Sequence, residues 1–137
     1  MNPADILRDI VVTAGIASGW NTSIAREPDS PDKALTFYNT GGLAPNPKWL
    51  MDYPSIQVRV RGDKNAYATS RAKAQAIKDK LLGLESQDVG GGIRLSSTLM
   101  VGDIVDLGYD SLQRPLHTMN FRLIIHPASG TNRQALA

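Results

Sequence analysis

The chain has 137 residues, 42% of them hydrophobic and 20% charged. That suits a single globular domain with one sizeable core and excludes whole-chain disorder. The formal charge is only +2 and there is no cysteine. A disulfide scaffold, a thiol nucleophile and a cysteine-ligated metal site are therefore excluded.

No secretory signal is expected, because Asp5, Arg8 and Asp9 interrupt the apolar residues of the N-terminus. No apolar run approaches the ~20 residues that span a bilayer, so no membrane partner is expected. The charge is divided along the chain. Residues 57–80 hold seven basic residues against two acidic ones, and the remainder holds eight against eleven. One basic and one acidic side can attract an acidic partner or a second copy. Lysines merely solvated on a helix are the simpler account.

The pattern predicts a first helix from Pro3, capped by Asn2 and ending near Ile16 to Ser18. Residues 20–33, with Pro28 and Pro31, read as a polar connection. Residues 34–40, "ALTFYNT", read as a strand. Residues 41–53, "GGLAPNPKWLMDY", read as a loop that packs on its own domain or on a partner, because Trp49, Leu50, Met51 and Tyr53 are too apolar for a solvated tether.

The next stretch, "DYPSIQVRVRG", alternates Ile56, Val58 and Val60 with Gln57, Arg59 and Arg61. That is a strand with one buried face. The core does not need the arginine face, so contact with another molecule is its expected use. Asp63 can cap a following helix over 64–82. Its predicted core stripe is Tyr67, Ser70, Ala74, Ile77 and Leu81, and Lys64, Arg71 and Lys78 form a basic flank.

Strands are then expected at 93–101, 103–109 and 116–125. The last two form a hairpin around Asp110 to Pro115, and residues 127–137 form a flexible tail. The expected fold is α+β: one domain over 1–126, with a mixed or mainly antiparallel sheet of about five strands and two helices on one side.

Catalysis has little support. Neither His117 nor His126 has a serine or acid at a telling spacing, and Asp103, Asp106 and Asp110 match no metal-loop grammar. The glycines of "GGGIRLSS" lack the lysine of a phosphate loop. No catalytic residue, metal or cofactor is expected. Nucleic-acid or acidic-protein binding by the basic helix is the competing reading, but stacking aromatics and a helix-turn-helix pattern are missing.

The order of "PDSPDKALTFYNTGGLAPNP", "DYPSIQVRVRG", "AIKDKLLGL" and "LGYDSLQRPLHTMNFRLI" resembles the tail terminator family of long-tailed phages, also labelled minor capsid proteins. The resemblance runs from about Ile6 to Ile125. It implies a structural virion protein without enzymatic activity, built as a small domain with helices on one side of a sheet. It implies a ring, usually a hexamer, on the head-proximal end of the tail tube. That ring stops tube growth and attaches the head–neck connector, and DNA passes through its hole without sequence-specific binding. Another neck ring, such as a head-closure protein, is the nearest alternative. By position, Gln57, Arg59 and Arg61 match the family's strand. Asn39, Thr40, Gly41 and Gly42 match its "NTGG" turn, and Asp52, Tyr53 and Pro54 its "DYP". Contact with a subunit or the tube is then expected at Gln57, Arg59, Arg61, Trp49, Asp52 and Tyr53. Asn39, Gly41, Gly42 and Pro54 are expected in a structural turn.

Overall fold

The computed structural model describes residues 2–45, 51–127 and 133. The elements run α1 (Pro3–Thr13), β1 (Asn21–Ile24), β2 (Ala34–Leu43), β3 (Tyr53–Arg61), α2 (Tyr67–Leu81), β4 (Gln87–Asp88), β5 (Arg94–Met100), β6 (Val105–Tyr109) and β7 (Pro115–His126). They form an α+β fold with a seven-stranded mixed sheet, ordered β1-β2-β3-β7-β5-β4, with β6 also paired to β7. Among the described strand pairs only β1–β2 is parallel.

The sheet has more strands than the five expected. The two missed ones are β1 and β4, of four and two residues. Neither is long enough to show a period, and β1 is half-buried throughout.

The helices form for local reasons. Asn2 accepts from the Asp5 amide at 3.0 Å, and the Asp5 carboxylate accepts back from the Asn2 amide at 3.3 Å. This capping box satisfies two amides that the first turn leaves without partners. Helix α1 ends at Thr13, short of the expected boundary, and turns carry the chain through Gly15 and Gly19. Helix α2 starts at Tyr67, and Asp63 does not cap it. Ala66 is the N-cap, without a side-chain bond, because a turn closed by the Ala66 amide on the Asp63 carbonyl intervenes.

The core lies between the helices and one sheet face. Ile6, Leu7 and Val11 of α1 and Ala74, Ile77 and Leu81 of α2 meet Phe37, Ile56, Val58, Val60, Met119, Phe121 and Leu123. Tyr67 is the exception to the predicted α2 stripe and is 42% exposed.

The 41–53 segment is less of a loop than expected. Strand β2 continues to Leu43 and β3 begins at Tyr53. A bulge between Asn39 and Gly42 permits this. Gly42 has φ +110°, and a Cβ there would lie 2.2 Å from the Tyr53 carbonyl oxygen. Only glycine fits. Trp49 and Leu50 lie outside the described residues.

The opposite sheet face is partly covered by the chain itself. Nine residues, 25–33, return the chain from the end of β1 to the start of β2. This irregular crossover leaves carbonyls that no ladder satisfies. Two arginines supply the donors. Arg61 gives Nε to the Asp32 carbonyl at 2.9 Å, Nη2 to the Pro31 carbonyl at 2.8 Å and Nη1 to Glu27 at 3.0 Å. Arg114 gives Nη1 to the Asp29 carbonyl at 2.7 Å and Nε to Asp110 at 2.8 Å. Their exposures are 3% and 6%.

Arg61→Ala should therefore destabilise the chain by about 2–4 kcal/mol, the range for a buried charged group whose partners lose their donor. The urea midpoint measures it. An unchanged midpoint would show that the crossover does not depend on this guanidinium.

Candidate functional site: the outer sheet face and the edges around it

Residue pairing defines the rows of the outer face. Tyr38, Gln57 and Asn120 form one row, and Ser55, Arg122 and Leu99 the next. The crossover reaches the first row where the Glu27 backbone bonds Tyr38, and both rows are half-buried, except Leu99, which is exposed. Arg122 Nε has no hydrogen-bond partner among the described residues. Sequence reading missed Arg122, although its alternation with Phe121 and Leu123 places it on the outer face.

The expected contact residues separate here. Gln57 lies half-buried in the first of these rows. Arg59 is one-third exposed and forms an ion pair with Glu27 at 2.8 Å. Arg61 does not belong to an open surface, contrary to the expected exposed arginine face: it is enclosed by the crossover. Asp52 forms a backbone bridge with Ile125, and its carboxylate receives Arg133. Tyr53 opens β3 opposite Leu43, and Pro54 faces Gly42 across the bulge. Asn39 accepts from the Ala4 amide at 2.9 Å, tying β2 to the start of α1.

The basic flank of α2 is not continuous. Lys64 lies exposed before the helix, and Arg71 is half-buried within it. Lys78 donates to both Asp103 oxygens, at 2.9 and 3.2 Å. The bond from Lys78 holds the Asp103 carboxyl below its usual range. Burial alone would raise the Asp110 carboxyl, but the Arg114 and Leu112 bonds outweigh it and lower it. Asp103, Asp106 and Asp110 thus each serve a different partner.

His117 has partners that its spacing does not reveal. Its Nδ1 lies 2.8 Å from Ser70 Oγ, and its Nε2 lies 3.0 Å from Asp106 Oδ1 in an off-axis contact. Tyr67 donates to the other Asp106 oxygen at 2.6 Å. The set resembles a Ser–His–Asp relay, with its accessibility reversed. Ser70 and His117 are at 0% exposure, whereas the Asp106 side chain is half exposed. A nucleophile sealed in the core cannot meet a substrate. The chain of contacts joins α2, β7 and β6 instead. Helical spacing put Ser70 on the core stripe, the one available signal for it.

The family model described as bacteriophage tail terminator protein matches residues 6–127. The chain belongs to that family. This tail terminator family member is therefore a structural virion protein of the phage tail. It is also similar in fold to a chain in a structure titled "Virion of native gene transfer agent (GTA) particle", with a TM-score of 0.67 and 18% identity. The likeness covers 90% of each chain. No sequence match was found among curated proteins. Among the described residues of this family member, no helix is long and apolar enough to cross a membrane.

Burial lowers the pKa of His117 below its ordinary 6.5, Asp106 opposes the shift and Arg71 adds to it. The unfolded chain therefore binds a proton first on acidification. This contribution is fully present above about pH 6.5 and lost as pH falls towards the folded-state value. The urea midpoint should drop across that window, and His117→Gln should flatten the slope. An equal slope in the variant would assign it to another group.

Proposed function

We propose that the chain forms a closed ring, six-fold by the family pattern, on the head-proximal end of a phage tail tube. The ring stops tube growth and offers a surface to the head–neck connector. DNA passes through its hole without sequence-specific contact, and no catalysis or cofactor is involved. The family match over residues 6–127 carries this reading. The outer sheet face supports it, since half-buried Gln57, Asn120 and Arg122 form a polar surface suited to a partner met during assembly. A free nucleic-acid-binding domain is less favoured. Asp103 neutralises Lys78, and the Lys73 ammonium donates to the Ile16 carbonyl at 2.6 Å, so α2 presents no continuous basic stripe.

Adding the purified protein to growing tail tubes should place one ring at one tube end and fix tube length, as seen by electron microscopy. Binding along tube sides, or none, would overturn the proposal. Gln57→Glu combined with Arg122→Glu should leave the melting temperature nearly unchanged and abolish capping, because charge reversal at a partly desolvated boundary weakens association strongly. Normal capping by this variant would move the tube or neck contact to another face.

A further inference from the structure

Among the described residues, strand β6 pairs with β7 along one side only, and all five of its residues are exposed. Leu99, Val101, Val105, Leu107, Tyr109 and Leu112 are each 45–48% exposed along this edge. Residues 99–113 contain three aspartates and no lysine or arginine. Long apolar edges are normally blunted by lysine, proline or a covering element. Strand β6 has no lysine or proline.

The far edge of the same row is different. Ser23, Thr36, Arg59, Thr118 and Val105 are successive partners, so β1 and β6 close the two ends of one row across five strands. Beside β1, Val12, Ala17, Trp20 and Thr22 line an open cleft. The ammonium groups of Lys33 and Lys73 lie 5.7 and 5.4 Å from the Trp20 ring centre. Lys33 is also 3.7 Å from Asp63. One edge thus carries exposed aliphatic side chains among aspartates already paired within the subunit, and the opposite edge an indole flanked by two ammonium groups.

We infer that the β6 edge of one copy docks on the β1–Trp20 edge of the next copy in the ring. The inference rests on the ring reading proposed above. Two unlike patches at opposite ends of one subunit make a heterologous contact, the kind that repeats around a rotation axis until it closes. The pairing order sets β6 antiparallel to β1. A neighbour related by an axis along the strands therefore brings the two edges together as antiparallel strands. Leu107 and Tyr109 then cover Val12 and Trp20.

The absence of native cysteine makes the test clean. Ser23→Cys and Val105→Cys are made separately and mixed in the presence of tail tubes. Oxidation or a short bis-maleimide should link the mixture into dimers, and neither variant alone should link. The double variant should give a ladder that stops at the copy number of the ring. Leu107→Glu replaces an exposed residue, so melting should hold while self-association weakens by about tenfold or more, the effect of losing one buried apolar contact. Rings on tube ends that neither link nor respond to Leu107→Glu would overturn the edge assignment and leave the ring reading standing. Wild-type protein that stays monomeric with tubes present would overturn both.

Discussion

Every layer of the fold is referred to one twelve-residue strand, β7. Its backbone amides and carbonyls must be satisfied on both edges, because a buried strand has no water to turn to. Along one edge it pairs with β3 from Leu116 to Arg122. Along the other it pairs first with β6 and then with β5, which follow each other in line with a turn between them. No neighbour can slip without breaking part of this ladder. A shift of one residue would also turn Met119, Phe121 and Leu123 away from the helices. The alternation of β7 therefore fixes the register of the sheet and the location of the core together.

The start of β7 also organises the buried polar groups, and these take two forms. Arg114 just precedes the strand and keeps its charge: burial alone would lower its pKa, but Asp110 and Asp32 outweigh that and raise it. His117 lies three residues on, with Ser70 and Asp106 in contact, and burial favours its neutral form. The difference follows from the partners. A guanidinium has several donors and can satisfy carbonyls and carboxylates at once. A neutral imidazole has one donor and one acceptor, which suits a hydroxyl on one side and a carboxylate on the other. Arg61 repeats the first solution from β3. Together Arg61 and Arg114 hold a crossover too short for the helix that usually links parallel strands.

This explains which parts were legible from residue order. Ile56, Val58 and Val60 announce their strand because one face meets α1 and α2 while the other does not. Met119 to Ile125 do the same. Periodicity reports only which side of a strand is apolar. It does not report what lies over the polar side, so Arg59 and Arg61 looked equivalent. They are not: both pair with Glu27 of the crossover, but Arg61 is enclosed beneath it while one-third of the Arg59 side chain stays exposed. Strand β1 was hidden because Asn21 to Ile24 are all half-buried and have no contrast to alternate. The partners of His117 were hidden because Ser70 is 47 residues away, and only folding brings them together.

The polar staples and the exposed edges are linked through the same hairpin. Among the described residues strand β6 has no second neighbour in its sheet, yet it is fixed at several points. Asp106 is held by Tyr67 and lies against His117, Asp103 is held by Lys78, and Asp110 closes the turn onto Arg114. An isolated apolar edge strand ordinarily frays or aggregates. Here side chains from α2 and the start of β7 set its position before any partner arrives. In the proposed ring that would lower the ordering cost of association, because little backbone freedom is left to lose when a neighbour docks. Removing Tyr67 or Lys78 would then loosen the edge without touching its apolar surface, and would act on assembly through the entropy of the hairpin rather than through contact.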